Sequence, residues 1–272
     1  MSVTLTRTPP NAAFLRRSAA TRLALLGASG VVLALLCVAS VALGVRAVSL
    51  DDILAGLGGQ VTTVEEAAVV ARMPRTVLAI LIGAALAIAG TTMQAVTRNP
   101  LADPGILGVS GGAALAVVIG ITVFGVSAPY PMMGFAIAGA AGAAVFVYAV
   151  GSIGRGGPTP LKLALAGAAA SAAFMSLVSA LMLPRVDVME TFRFWQVGGV
   201  GGATWDRIGA VLPVLVIGGI VCLSSARGMN SLALGDDVAA GLGEHVGRTR
   251  LVSSAGAVIL CGAAVAVAGP TA

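Results

Sequence analysis

Long runs without a charged residue divide this chain into segments of membrane-spanning length. No Asp, Glu, Lys or Arg occurs at 23–45, 76–97, 104–154, 163–184, 208–226 or 251–272. A helix needs about 20 apolar residues to cross the hydrocarbon core of a bilayer. Five runs have room for one span each, and the run of 51 residues, interrupted by prolines near 127–131, has room for two. The pattern therefore predicts seven membrane-spanning helices.

The spacing of apolar residues within the runs favours helices over the strands of a membrane barrel. Barrel strands alternate apolar and polar side chains at every second position, whereas stretches such as 31–36 are apolar throughout. Composition agrees: 58% of the residues are hydrophobic, 10% are charged and the mean hydropathy is +1.01. A soluble domain carries about 25% charged residues, so a soluble enzyme is excluded. We predict an all-α polytopic membrane protein.

The charges predict which side of the membrane each loop occupies. Residues 1–22 are polar and carry four arginines, and we interpret them as a cytoplasmic tail before a retained first helix, with the membrane domain at 23–272. The loops then alternate, which places ten basic residues inside and six outside. This bias follows the positive-inside rule. It predicts a multi-pass protein of the cytoplasmic membrane with a cytoplasmic N-terminus.

The residue types argue against catalysis and against metal binding by this chain. Cys37, Cys222 and Cys261 lie in apolar runs without metal-ligand spacing, and His245 is the single histidine. The single lysine, Lys162, follows Leu rather than the glycine that a phosphate-binding Walker A loop requires. We therefore expect no enzyme activity and no bound cofactor, with any ATP hydrolysed by a partner subunit.

A motif with two arginines precedes the second predicted span. Pro74 lies between Arg72 and Arg75, and proline suits the first position of a helix because its missing N–H needs no partner there. We therefore expect Pro74 to begin the second span at the outer surface. Two guanidinium groups at a membrane face would bind carboxylates of a partner, although anchoring of the helix in the interface explains the motif as well.

A tight inner turn is predicted between the second and third spans. A proline disfavours helical backbone at the residue before it, and two such steps three residues apart are incompatible with a continuous helix. The candidate residues of this turn are Arg98, Asn99, Pro100, Asp103 and Pro104.

The longest inner loop, 227–250, predicts a pair of short cytoplasmic helices. Two adjacent carboxylates at 236–237 suit a helix N-terminus. We expect one apolar face on this helix, formed by Val238, Ala239 and Leu242. Such a face is too apolar for a simple tether and fits the surface of a partner protein. A helix lying on the membrane surface is the alternative.

Together these segments resemble the FecCD family, which contains the permease subunits of bacterial iron-siderophore, haem and vitamin B12 ABC importers. The likeness is carried by the Arg-Met-Pro-Arg motif at 72–75, the stretch at 83–94, the segment at 98–108 and the loop at 234–250. These dissimilar motifs occur in the family's order and on the expected sides of the membrane.

The resemblance implies the fold of a type II ABC importer permease, with about ten spans of bilayer length in each subunit. A second permease subunit, identical or closely similar, an ATPase subunit and an extracytoplasmic substrate-binding protein are the implied partners. Arg72 and Arg75 correspond to the family's outer arginines that receive the binding protein. The inner turn at 151–160 corresponds to a cytoplasmic gate of the family. The residues that correspond to the ATPase-coupling helices are Gly235, Asp236, Asp237, Val238, Ala239, Leu242, Gly243 and Arg248.

The resemblance favours a permease subunit that takes up a ferric siderophore or a related metal chelate, driven by the separate ATPase. Seven spans out of about ten would leave the path incomplete, so a truncated scaffold that assembles with partners without transporting is one alternative. An ion-coupled secondary transporter is another, but no predicted span carries the central acid or base that such carriers usually use.

Overall fold

The computed structural model describes residues 18–44, 48–59, 61–154 and 159–270, and these ranges are helical and contain no strand. A single 3₁₀ turn over Pro104–Leu107 interrupts the α-helices of these ranges. The helices are α1 (Ala19–Ala42), α2 (Leu50–Leu57), α3 (Val64–Thr97), α4 (Val109–Phe124), α5 (Pro129–Gly151), α6 (Pro160–Met182), α7 (Val186–Val197), α8 (Trp205–Ser224), α9 (Ala226–Leu232), α10 (Asp236–Gly241) and α11 (Val246–Ala268).

Each of the seven predicted spans corresponds to a helix. In the described ranges, six helices are long and apolar enough to cross a membrane, namely α1, α3, α5, α6, α8 and α11. The seventh, α4, is apolar but has 16 residues, which gives it a length of about 24 Å. The long uncharged run divides at Gly125–Ala128, close to the predicted break, and a proline occupies the first position of α5.

The chain forms two compact units, Met1–Thr76 and Val77–Ala272, whose boundary falls inside α3. The first unit holds α1, α2 and the beginning of α3. Helix α2 begins with a capping box, in which Asp52 N–H donates to Ser49 Oγ at 3.2 Å. The Ser49 hydroxyl and amide both donate to the Asp52 carboxylate and thereby lower its pKa.

The predicted start of the second span at Pro74 is wrong. Helix α3 begins ten residues earlier, where Glu66 N–H donates to the Thr63 hydroxyl at 3.2 Å and the Glu66 carboxylate accepts from Thr63 N–H at 3.0 Å. This reciprocal capping box satisfies the first turn, so the helix continues through the buried Pro74. The Thr63-Val-Glu-Glu66 sequence was the signal that outweighed the proline.

Helix α11 is the most buried span of the second unit. In its most apolar stretch of 18 residues, 72% is buried, against 17–33% in the corresponding stretches of α3, α5, α6 and α8. Most of its buried residues are Ala, Gly, Val or Ser. Because lipid is as apolar as the helices, spans associate mainly through close van der Waals packing, which small side chains permit. The sequence of α11 therefore suits it to the centre of this unit.

Helices α4 and α5 approach each other at a pair of glycines. A Cβ on Gly139 would collide with the backbone carbonyl of Gly112 and the methyl of Ala116, and a Cβ on Gly112 would collide with Gly139 and Ala143. Three residues along α5, a Cβ on Gly142 would meet nothing within 4 Å. The contact therefore depends on the missing side chains at these two positions.

Gly139 and Gly142 therefore allow a matched pair of substitutions within α5. We expect Gly139→Ala to lower the thermal midpoint of the purified protein by several degrees, because a methyl group cannot fit between the two backbones. Gly142→Ala should leave the midpoint unchanged or raise it slightly, since alanine favours the helix by about 1 kcal/mol over glycine. Equal effects of the two substitutions, measured by monodispersity after heating in detergent, would contradict the proposed contact.

Candidate functional site

The predicted pair of short helices is present between the last two spans. Helix α9 follows α8 directly, and α10 begins after Gly235, whose φ of 117° reverses the chain. Asp236 and Asp237 form the first turn of α10, where the helix dipole favours negative charge. The helix ends at Gly241, and Gly243, with a φ of 85°, turns the chain toward α11.

The apolar face of α10 differs from the predicted one. Val238 and Leu242 are 50% and 65% exposed and lie four residues apart, on one side of the helix. Ala239 is fully buried, so its assignment to the same face is wrong. Leu234, in the turn before Gly235 and outside α10, is 64% exposed as well. We call Leu234, Val238 and Leu242 the α10 apolar stripe.

One carboxylate connects three segments beside this stripe. Asp236 accepts hydrogen bonds from Arg250 Nη2 at 3.0 and 3.1 Å and forms an ion pair with Arg98, from the inner turn after α3. The Arg250 side chain is 18% exposed, whereas those of Arg98 and Asp236 are 37% and 44% exposed. The predicted coupling helix and the predicted inner turn therefore meet at Asp236. Arg250, which was not among the predicted site residues, completes the cluster.

A second contact fixes the helix pair on the other side. The Thr249 hydroxyl in α11 donates to the Glu244 carboxylate. Gly228 of α9 lies against both residues, and a Cβ there would come within 2.6 Å of the Thr249 methyl and 2.9 Å of the Glu244 carboxylate. Helices α9 and α10 are thus held on the first turn of α11, with the apolar stripe left exposed.

The inner turn is built by its own side chains, as the two prolines predict. Asn99 Oδ1 accepts from Leu101 N–H at 3.0 Å, and Asp103 Oδ1 accepts from Gly105 N–H at 2.6 Å. Pro104 is buried and opens the 3₁₀ turn, while Pro100 follows the last turn of α3. Arg98 adopts a φ of 51°, a left-handed conformation that costs a residue with a Cβ about 1–2 kcal/mol. Because of this conformation, the chain leaves the direction of α3 at Arg98, directly after the helix ends.

The two outer arginines contact the end of α1. Arg72 Nη1 donates to the carbonyls of Val41 and Ala42 at 2.8 and 3.3 Å, and Arg75 Nη2 donates to that of Ser40 at 3.0 Å. The last carbonyls of a helix have no partner within it and carry the negative end of the dipole. Both half-buried guanidinium groups therefore cap the end of α1. The two-arginine motif thus has a structural role within the first unit.

Several sequence-based expectations concern residues that the structure does not describe. Residues 1–17 of the N-terminal tail, 155–158 of the inner turn at 151–160 and residues 271–272 lie outside the described residues. Asp237 in α10, Gly243 in the turn after it and Arg248 in the first turn of α11 are all exposed. Among the described residues, no group of three or more His, Cys, Asp or Glu side chains is placed to hold a metal ion.

The fold is that of an ABC transporter permease. A solved ABC transporter structure, described as metal-chelate type and in an inward-facing conformation, superimposes with a TM-score of 0.74 at 24% sequence identity, over 89% of this chain and 74% of that one. The FecCD transport family model matches residues 32–272. The chain belongs to the FecCD transport family.

Two curated relatives are similar over most of this chain. The ferric enterobactin transport system permease protein FepD of Escherichia coli is 43% identical over 202 residues, which is 74% of this chain and 60% of that protein. The Fe(3+)-citrate import system permease protein YfmD of Bacillus subtilis is 41% identical over 199 residues, or 73% of this chain and 59% of that protein. The chain thus spans about three fifths of the length of these relatives.

The ion-pair cluster predicts a local effect on α10 that can be measured. Asp236→Asn removes the charge that both arginines share, so the amide protection of α10 against hydrogen exchange should fall by about fivefold. That corresponds to about 1 kcal/mol, the upper range for partly exposed pairs. Asp237→Asn removes an equal charge from the next residue, for which no ion pair is recorded among the described residues, and should change protection less than twofold. Equal changes would mean that the helix dipole, not the cluster, holds α10.

Proposed function

We propose that this chain is the permease subunit of an ABC importer that carries ferric siderophores or related metal chelates across the cytoplasmic membrane. An ATPase subunit that hydrolyses ATP, an extracytoplasmic binding protein and a second permease subunit complete the transporter. Family membership and the chelates named for FepD and YfmD support this function. The N-terminus lies in the cytoplasm, in keeping with the excess of basic residues in the inner loops.

The α10 apolar stripe is the observation that carries the proposal. Three large aliphatic side chains, each at least 50% exposed, lie on α10 and in the turns at its two ends, and Asp236 at the start of this helix forms ion pairs. An exposed apolar surface beside a charge-paired helix has the character of a protein contact, and we assign Asp237 and Arg248 to its rim. We assign this surface, with Gly235 and Gly243 shaping its two ends, to the groove of the ATPase subunit.

The contact can be tested at Leu242, at one end of the stripe. Leu242→Asp should abolish co-purification of the ATPase, because a carboxylate placed in a packed apolar contact is left without a partner. Leu183→Asp is the matched control, since Leu183 is 81% exposed and lies in the connection between α6 and α7. It should leave co-purification unchanged. Wild-type yield of ATPase with a correctly inserted Leu242→Asp variant would refute the assignment.

Uptake of the chelate tests the transport function itself. Membrane vesicles or cells that contain this chain with its ATPase and binding protein should accumulate ⁵⁵Fe supplied as a ferric siderophore. Omission of ATP or of the ATPase should abolish the accumulation. Assembly of the complex without ATP-dependent uptake would instead favour a scaffold that does not transport.

We also assign the outer arginines, Arg72 and Arg75, to the docking of the binding protein. Their guanidinium groups are half-buried and orient along the end of α1, and fixed cations of this kind present a defined geometry to carboxylates. Ion pairs at the rim of an interface mainly set the association rate and weaken with salt. The cap on α1 and the docking site would then share the same two side chains.

Charge reversal separates docking from capping. Arg72→Glu with Arg75→Glu should slow association of the binding protein by tenfold or more at low salt and reduce substrate-stimulated ATP turnover, while basal turnover continues. Arginines introduced at the contacting acids of the binding protein should restore part of the rate. Arg185→Glu, another charge reversal in the predicted outer loops, is the control and should have little effect. A slow rate without any rescue would indicate that the arginines only cap α1.

A further inference from the structure

The inner turn after α3 is attached to α10 by an ion pair. Arg98, directly after the end of α3, pairs with Asp236, which lies 138 positions further along the chain. Asp236 also accepts two hydrogen bonds from Arg250 of α11. Because the Arg250 side chain is the less exposed of the two arginines, it fixes α10 on α11, while Arg98 forms a separate connection to the inner turn.

The backbone of Arg98 is held in an unfavourable conformation. Within the described ranges, Arg98 is the one residue other than glycine whose φ is positive, at 51°. Directly after a helix, glycine is the common residue in this conformation, because it has no Cβ to cause a steric cost. Such strain persists where the surrounding structure imposes it, and it is concentrated at functional sites. The arginine therefore indicates a role for its side chain that glycine could not perform.

The turn that follows Arg98 is stiff. Pro100 and Pro104 fix the backbone φ angle at two of its positions. In addition, Asn99 Oδ1 and Asp103 Oδ1 each accept the backbone N–H two residues further on, as in Asx turns. The turn therefore has little freedom to change its shape, and a force applied to Arg98 would displace it as a whole.

The far end of this turn is packed against α6. The 3₁₀ turn Pro104–Leu107 follows it, and a Cβ on Gly167 of α6 would come within 1.6 Å of the Ile106 carbonyl oxygen. At Gly108, a Cβ would meet the Ser171 hydroxyl, four residues further along α6, at 3.6 Å. Close-packed groups of this kind transmit a displacement to one another. The contacts thus form a continuous series from α10, through the inner turn, to the first half of α6.

We propose that Arg98 is a positioning residue that couples α10 to α6, through its ion pair with Asp236, the stiff inner turn and the contact between Ile106 and Gly167. The inference rests on the proposed function, since it takes the ATPase subunit as the partner that displaces α10. Contact alone does not establish energetic coupling between two sites. The experiments therefore measure how a change at α10 alters α6, with and without the partner.

The first experiment measures hydrogen exchange by mass spectrometry on the chain in nanodiscs, before and after addition of the ATPase subunit with a non-hydrolysable ATP analogue. We expect the partner to change the exchange of the amides at 161–170, in the first turns of α6, by about threefold or more. Arg98→Gln should remove most of this change and leave co-purification of the ATPase intact, because Arg250 still pairs with Asp236. Arg98→Lys keeps a cation and should restore part of the change.

Two further variants separate coupling from folding. Arg98→Gly removes the ion pair and relieves the backbone strain, so the two effects on stability offset and the thermal midpoint should shift by less than about 2 °C. The response at 161–170 should nevertheless be lost. Arg227→Gln is the charge control, since Arg227 is exposed on α9 and no ion pair is recorded for it in the described part of the chain. It should keep the full response.

A second experiment needs no partner. In the chain alone, Arg98→Gln and Asp236→Asn should each raise the exchange at 161–170, and the double variant should match Asp236→Asn, because the ion pair is already lost. Asp237→Asn, at the neighbouring carboxylate, should leave this exchange unchanged. If the ATPase does not associate with the unsubstituted chain, the proposed function is refuted, and this double-mutant comparison still decides whether Arg98 couples the two helices.

Any of three exchange results would overturn the proposal. They are an unchanged exchange at 161–170 when the ATPase binds the unsubstituted chain, a full response that persists in Arg98→Gln, and independent, additive effects of Arg98→Gln and Asp236→Asn in the chain alone. A thermal midpoint that falls in Arg98→Gly together with the response would also overturn it, because Arg98 would then serve the stability of the turn and not its coupling to α10.

Discussion

Close approach of helix backbones is the constraint on which the second unit depends. Inside a bilayer, apolar side chains gain nothing by leaving lipid for another helix, so cohesion comes from contact at short range. Gly112 and Gly139 let α4 and α5 touch backbone to backbone, and Gly167 brings α6 against the Ile106 carbonyl of the 3₁₀ turn. Around these contacts, the small residues of α11 form the most buried span.

Polar interactions are concentrated where the spans end. At one end of α11, Asp236 joins Arg98 and Arg250, and Glu244 joins Thr249. At the other end, Gly199 pairs with the Ala268 carbonyl. Charges at span ends remain close to water and headgroups, whereas a charge at the bilayer centre costs about 2.5–3.5 kcal/mol on insertion scales. The polar contacts described for this unit therefore lie near the two ends of α11.

The two sets of polar contacts are connected by one helix. Both are attached to the same helix, α11, whose interior is closely packed and contains no charged residue between Leu251 and Ala268. A packed helix moves as one body more readily than it deforms.

Local sequence is sufficient to predict the number and approximate position of the spans, the two short helices before α11 and the break after α3. These follow from local physics: charge is unfavourable in lipid, and proline disfavours helical backbone at the residue before it. Local signals can also compete, and the capping box at Thr63 and Glu66 outweighed the proline at position 74. The family, too, was recognisable from short motifs.

Which side chains meet depends on how the helices pack, and local sequence does not predict it. Arg98 and Asp236 are separated by 138 positions, and no periodicity links them. Ala239 and Val238 are neighbours in sequence, yet one is buried and the other exposed, because the orientation of α10 is set by its ion pairs with α11 and the inner turn. Such arrangements depend on how the helices pack, which no single segment encodes.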